Sequence, residues 1–313
     1  MIELQHVSKR FGNFNAVSDL SFSLHGGQIS SLIGQNGAGK STTFHMILDF
    51  IKPDSGKILW SGKPLTPDAI TDMPEERGLY PKETIKSQLL YFAALHGMKK
   101  VEAIILLDDW MKRFNVVGKS TDKIESLSKG NAQKVQLIAC LMFKPQLLIL
   151  DEPFSGLDPV NSELLIKAIL AAKQRGTMVI FSTHNMDNVQ KLSDYIVMLK
   201  HGQTVLKGTP TEIYRQFGRL RLDIEGYQNV ERLKRIQGVR NVTLMANGVH
   251  LELNNEQCGR VIFAEVTKNG YVPVFNQHYP DLEAIFKYEV HKKAYARLSV
   301  SYTHLTLPTI CSV

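Results

Sequence analysis

Three cysteines among 313 residues, Cys140, Cys258 and Cys311, are too few and too scattered for a disulfide framework or a zinc site. A reducing, cytosolic setting is therefore expected. Long apolar runs are also missing. The longest candidate, residues 137–143, stops at Lys144, far short of the ~18 residues of a membrane span. No secretory leader is expected, because Glu3, His6 and Lys9 interrupt the first residues. Charge of one sign is in modest surplus only: 37 Lys plus Arg against 30 Asp plus Glu gives +7. That permits an anionic partner without demanding one. There is no internal repeat and no low-complexity tract. With 43% apolar and 21% charged residues, the chain is neither disordered nor fibrous. Its length suffices for one large core or two smaller ones.

From Ser299 onward Asp, Glu, Lys and Arg are absent altogether. Residues 300–309, VSYTHLTLPT, read like a translation of the adapter DNA used in preparing sequencing libraries. Residues 299–313 are thus expected to be an artefact tail with no part in the fold.

What is present is a regular pattern of elements. Residues 2–7 and 20–25 alternate like half-buried strands, and 28–33 form an apolar strand running into a glycine-rich turn. The pattern is helical from Ser41 to about Phe50. A turn at Pro53-Asp54-Ser55-Gly56 precedes a strand at 57–60. Residues 84–115 are mostly helical, with Ile85, Leu89 and Phe92 as a core stripe. Another helix begins near Gly130. Then come a buried strand at 147–150, a helix at 162–175, a strand at 178–182, a helix at 186–192, and a hairpin of 195–200 with 204–208. After Phe217 the character changes to strand 220–225, helix 229–237, strands 239–245 and 249–254, helix 256–269 and strand 272–278. That βαββαβ order is ferredoxin-like. Asn247-Gly248 supplies its two-residue hairpin turn, and a helix from Asp281 to about Leu298 closes it. The reading gives a domain at 1–217 and an accessory α+β domain at 218–298.

Gly34-Gln35-Asn36-Gly37-Ala38-Gly39-Lys40-Ser41 matches G-x-x-x-x-G-K-[ST] in full, between a strand and a helix. Glycines let backbone N–H groups close around phosphate oxygens, and the helix N-terminus adds partial positive charge. Lys40 would neutralise β/γ-phosphate charge and Ser41 would offer an oxygen to Mg²⁺. A chance match in a glycine-rich turn is the competing reading, and the flanking strand and helix argue against it. Residues 147–152, LLILDE, are an aliphatic strand ending in two carboxylates. Such a tip lies beside the phosphate loop in an open α/β sheet. Asp151 would hold Mg²⁺, directly or through water, and Glu152 would orient and deprotonate the attacking water.

With three further motifs these residues resemble the ATP-binding cassette (ABC) ATPases. Leu127-Ser128-Lys129-Gly130-Asn131 resembles that family's LSGGQ signature, Ser155-Gly156-Leu157-Asp158 its D-loop, and His184 its switch histidine. Phe11 stands where the family stacks an aromatic ring on adenine. The resemblance covers about residues 1–217. It implies a P-loop NTPase of mixed α/β sheet with a helical subdomain at about 83–135, using ATP and Mg²⁺. Two copies would sandwich the nucleotide, the signature loop of one capping the γ-phosphate held by the other. The implied nucleotide-binding residues are Phe11, Gly34, Gln35, Asn36, Gly37, Ala38, Gly39, Lys40, Ser41, Thr42, Ser128, Lys129, Gly130, Asn131 and Asp158. Glu152, His184 and Glu75 are the implied catalytic residues, and Ser41, Asp151 and Glu75 the implied metal ligands.

Two departures stand out. Lys129 and Asn131 replace the signature's glycine and glutamine, and Glu75 replaces the usual Q-loop glutamine. A carboxylate there can still reach Mg²⁺ or water. Both variants are similar to those of a bacterial exporter subgroup, often labelled sodium or antibiotic export, in which a small C-terminal domain follows the ATPase. Residues 280–286, PDLEAIF, resemble that domain's closing helix.

The expected function is thus the ATP-hydrolysing subunit of an exporter, at the cytoplasmic face of the membrane. It would pair with itself or with another cassette, and act on separate transmembrane permease subunits, with no nucleic acid. The surface between Tyr80 and Met98 is the candidate groove for a coupling helix. Two other readings compete: a soluble cassette ATPase acting on ribosomes or DNA, and a regulatory module that binds ATP with little hydrolysis. The first kind usually carries two cassettes or long insertions. Against the second stand Asp151, Glu152 and His184. Away from the motifs, Cys140 reads as a buried small residue, and Lys99-Lys100 and Lys292-Lys293 read as solvated faces.

Overall fold

The computed structural model describes residues 1–61, 69–75, 78–268 and 270–296, so the tail from Ser299 lies outside the described residues. The chain divides into two compact units, Met1–Ile213 and a second from Tyr214 onward, a few residues before the change of character at Gly218.

In the first unit β1 (Ile2–Phe11), β2 (Phe14–Leu24) and, after β3 (Ile29–Ile33) and α1 (Lys40–Ile47), β4 (Ser55–Trp60) form an antiparallel sheet ordered β2-β1-β4. The chain continues through β5 (Ile70–Met73), α2 (Ile85–Leu95), α3 (Lys100–Arg113), α4 (Lys129–Leu141), β6 (Leu147–Leu150) and α5 (Pro159–Gln174). Then follow β7 (Met178–Ser182), α6 (Met186–Leu192), β8 (Tyr195–Lys200), β9 (Gln203–Gly208) and α7 (Pro210–Phe217). The second sheet is ordered β5-β6-β7-β3-β8-β9, parallel except for the last pair.

Burial on both faces explains the continuous aliphatic runs of β6 and β7. Leu147, Ile149, Met178 and Ile180 point into a core shared with Ile2, Leu4, Phe22 and Phe44. Their neighbours Leu148, Leu150, Val179 and Phe181 point the other way, against Ile85, Leu89, Val135, Ile138 and Leu165 of the helices. Period-two alternation therefore sorts one strand into two cores.

Several boundaries differ from the sequence reading. The β1–β2 hairpin extends to Phe11 and back from Phe14, but register shifts interrupt it after Leu4 and Val7. His6 and Asp19 take positive φ, at 52° and 54°. These bulges break the alternation by which the strands would be recognised. β5 is a strand the sequence did not suggest, being only four residues long with Asp72 inside it. Residues 84–115 split into two helices, interrupted at Gly97 (φ 70°). Helix α5 begins earlier than expected because Asp158 caps it and Pro159 fits its first turn.

The second unit contains β10 (Arg221–Glu225), α8 (Val230–Lys234), β11 (Val239–Met245), β12 (Gly248–Leu253), α9 (Cys258–Val266), β13 (Val274–His278) and α10 (Leu282–Ala296). Its sheet is ordered β11-β12-β10-β13, every neighbour antiparallel, which is the ferredoxin-like arrangement. Leu222, Ile224, Leu233, Leu251 and Ile262 fill its core. Met245 pairs with Gly248, so the hairpin loop is Ala246-Asn247, one residue earlier than expected. Gly248 is needed for another reason: a Cβ there would strike the Ile224 carbonyl oxygen.

Candidate functional site

Strand β3 is buried along its whole length and delivers the chain into the phosphate loop. Gly39, with φ 104°, ends the loop; a side chain there would collide with the Ala16 carbonyl oxygen. Helix α1 starts at Lys40, which is only 8% exposed. Its Nζ donates to the carbonyls of Gly34 (2.8 Å) and Gln35 (3.3 Å), so the ammonium is held inside the loop. Thr43 Oγ1 donates to Gly39 O at 2.8 Å and fixes the helix's first turn.

The Asp-Glu tip does lie beside the phosphate loop, although its strand is not the loop strand's neighbour; β7 lies between β6 and β3. The right-handed crossovers of a parallel sheet allow this spacing, and β7 supplies the bridge. Ser182, fully buried at its tip, donates to Asp151 Oδ1 at 2.5 Å and accepts from the Glu152 N–H at 2.9 Å. From the other side Ser41 Oγ donates to Asp151 Oδ2 at 2.9 Å. One carboxylate thus ties the loop helix to two strand tips. Glu152 has φ 47° and is nearly buried, and its Oε2 lies 3.0 Å from His184 Nδ1. A carboxylate only accepts, so Nδ1 carries the shared hydrogen. The His184 side chain is otherwise exposed.

These groups face one cavity of about 370 Å³. Its walls include Asn36, Gly37, Gly39, Lys40, Ser41, Thr42, Glu75, Asp151, Glu152 and His184, all foreseen from sequence. Phe14 and Ala16 also line it and were missed, as was the supporting Ser182; Ser155, read as the start of the D-loop, lines it too. Phe11 is a cross-strand partner of Phe14, is half exposed with Lys9 Nζ 5.7 Å from its ring centroid, and is not among the lining residues. Of the other loop residues, Gly34 and Gln35 serve through the carbonyls that hold Lys40, and Ala38 packs into the core. Among the described residues no group of three His, Cys, Asp or Glu side chains converges to hold a metal.

Ser128, Lys129, Gly130, Asn131 and Asp158 do not line this cavity. Ser128 caps α4, its Oγ accepting from the Asn131 N–H at 3.3 Å. Asn131 in turn bonds the backbone N–H and carbonyl of Val117. Lys129 lies across Gly156 of the D-loop, where a Cβ would meet its Nζ at 2.6 Å. Asp158 caps α5; the Asn161 N–H, 2.9 Å away, holds its carboxyl below the usual carboxylate range, and the Lys134 charge adds to this. A second cavity, of about 750 Å³, opens between Phe154, Ser155, Gly156 and Leu157 and the segment around His184. A third, of about 670 Å³, is a groove lined by Tyr80, Pro81, Lys82, Glu83, Ser87, Gln88, Tyr91 and Glu125. Both tyrosines are exposed.

The family model for ABC transporters matches residues 17–155, and that for the C-terminal domain of DrrA1-3-like ATP-binding proteins matches residues 208–290. The sequence is 42% identical over 289 residues to the uncharacterised ABC transporter ATP-binding protein YhaQ of Bacillus subtilis, covering 91% of this chain and 97% of that protein. It is 34% identical over 220 residues to the Nod factor export ATP-binding protein I of Rhizobium etli, covering 68% and 69%. Among solved structures it is similar to an ATP binding subunit of an ABC transporter, with a TM-score of 0.66 and 30% identity, covering 69% of this chain and 93% of that one.

Proposed function

Since this chain belongs to the ATP-binding proteins of ABC transporters, we propose that it hydrolyses ATP to drive an exporter whose membrane-spanning subunits are separate chains. The observation that carries this is the convergence of Lys40, Ser41, Asp151, Glu152 and His184 on one cavity. Export is favoured by the likeness to the Nod factor export protein. A soluble cassette acting on ribosomes or DNA has no comparable support.

The triphosphate enters over the loop, and Lys40 exchanges its loop carbonyls for β- and γ-phosphate oxygens. Glu152 takes a proton from water as the water oxygen bonds to the γ-phosphorus and the bond to the ADP oxygen breaks. His184 holds the Glu152 carboxylate in place and turns its exposed edge toward the γ-phosphate. Ser41 and Asp151 offer the hard oxygens that Mg²⁺ accepts, and Mg²⁺ usually completes its shell with substrate phosphates and water. Their hydroxyl and carboxylate are already neighbours, and Glu75 faces the same space. Bound there, Mg²⁺ would neutralise phosphate charge. Adenine would stack at the β1–β2 turn on Phe11, with Phe14 beside the phosphates.

The signature residues cap a 13-residue helix whose N-terminus favours an anion, yet they do not line their own chain's cavity. A second cassette, identical or related, would supply the nucleotide they cap. Among the described residues no helix is long and apolar enough to cross a membrane, which fits a peripheral subunit at the cytoplasmic face. The groove at Tyr80 and Tyr91 is the proposed seat of a permease coupling helix. A photo-crosslinker at Tyr91, used in native membranes, should give an adduct with a multi-span protein; adducts with soluble chains alone would reject the assignment. A chain lacking residues 219–298 should keep ATP affinity within about threefold, because each unit has its own core. An insoluble product would show that the two units fold together.

A further inference from the structure

Helix α4 is fastened side chain by side chain to the backbone that leads into the cavity. Gln136, 5% exposed, donates from Nε2 to the Pro74 carbonyl at 3.2 Å. One turn on, Cys140 Sγ lies 3.2 Å from the Asp72 carbonyl, and Thr71 Oγ1 donates to the Cys140 carbonyl at 3.1 Å. At the other edge of β5 the Asp151 N–H donates to Met73 O at 2.9 Å. The chain is therefore pinned at every residue from Thr71 to Pro74, and Glu75 is the first residue beyond. The Pro74 carbonyl belongs to the same peptide plane as the Glu75 nitrogen. A bond to that oxygen fixes the direction in which Glu75 leaves the backbone. Proline has no N–H, so the carbonyl is the only backbone handle at this position.

We propose that Gln136 is a positioning residue for hydrolysis: its amide aims Glu75 into the nucleotide cavity. The bland alternative is a buried amide that merely satisfies itself. An apolar side chain would fill that space without a polar group to desolvate, whereas the Pro74 carbonyl then loses its partner. Gln136 also sits on the helix that starts at Ser128, so Glu75 is tied to the element carrying the signature residues. The inference rests on the reading that Glu75 takes part in the ATP site, and the test separates the two.

The test compares Gln136→Met, Gln136→Glu, Glu75→Ala and the double variant Gln136→Met/Glu75→Ala in the full chain, by kcat, KM for ATP and melting temperature. Gln136→Met keeps the volume and removes the donor. Its kcat should fall about tenfold, as expected when a reacting group is misplaced, with KM changed less than twofold. Gln136→Glu keeps size and polarity but presents an acceptor to the carbonyl, and should be at least as slow. Glu75→Ala should show the same kcat loss, and the double variant should be no slower than Glu75→Ala alone. Normal kcat in either folded Gln136 variant beside a slow Glu75→Ala would overturn the positioning role. So would a double variant whose loss is the product of the two. If Glu75→Ala itself turns over normally, the role of Glu75 fails first, and the inference falls with it.

Discussion

Glu152→Gln binds ATP normally and turns it over about 10²–10⁴ times more slowly, the usual size of a general-base contribution. The replacement keeps the side chain's length and one oxygen that His184 Nδ1 can reach at the present 3.0 Å. It leaves the left-handed backbone at this position unchanged. What it removes is the oxygen able to take a proton from water. Substrate then binds and stays, so two copies should remain closed on unhydrolysed ATP. Phosphate release under saturating ATP measures the first effect, and the elution volume with and without nucleotide measures the second. Undiminished turnover would move the base to another group, with Glu75 a candidate on the same cavity wall.

Lys40→Ala acts earlier. The ammonium is the cation enclosed by the loop, held by two carbonyls, and it lies nearly out of contact with solvent. Charged hydrogen bonds to phosphate are worth roughly 1.5–3 kcal/mol each. Losing them should weaken ATP binding by about 10²–10³-fold, with catalysis falling because little nucleotide is bound. Titration of a fluorescent ATP analogue gives the affinity, and a melting curve without nucleotide separates this from a collapsed loop. Wild-type affinity would remove Lys40 from phosphate binding.

What could be read in the sequence was whatever is contiguous along the chain. The phosphate loop and the Asp151-Glu152 tip each lie within a few residues and carry their own chemistry. Glycines that must approach other backbone, such as Gly39, are visible as glycines before their neighbour is known. Hidden instead was everything that depends on strand order. Nothing in the run ending at Asp151 says that β7 comes between it and the loop strand, so the bond of Ser182 to Asp151 could not be read. Nor could Phe14 be told from Phe11 as a wall of the cavity, because the pairing of β1 with β2 carries bulges that no alternation pattern reveals. Asn247-Gly248 was legible as a turn for the wrong reason: its glycine yields to the Ile224 carbonyl of a third strand. Gln136 resembled any polar residue on a helix until its carbonyl partner was known.

The backbone angle of Glu152 bears on how genetic variants at this site should be interpreted. At φ 47° a β-branched residue is badly strained, whereas asparagine, aspartate and glycine are tolerated more readily. A saturation library would therefore split its inactive alleles into two kinds. Valine, isoleucine and threonine would distort the strand tip that also carries Asp151, and their silence would report on geometry. Only shape-preserving alleles would speak about proton transfer.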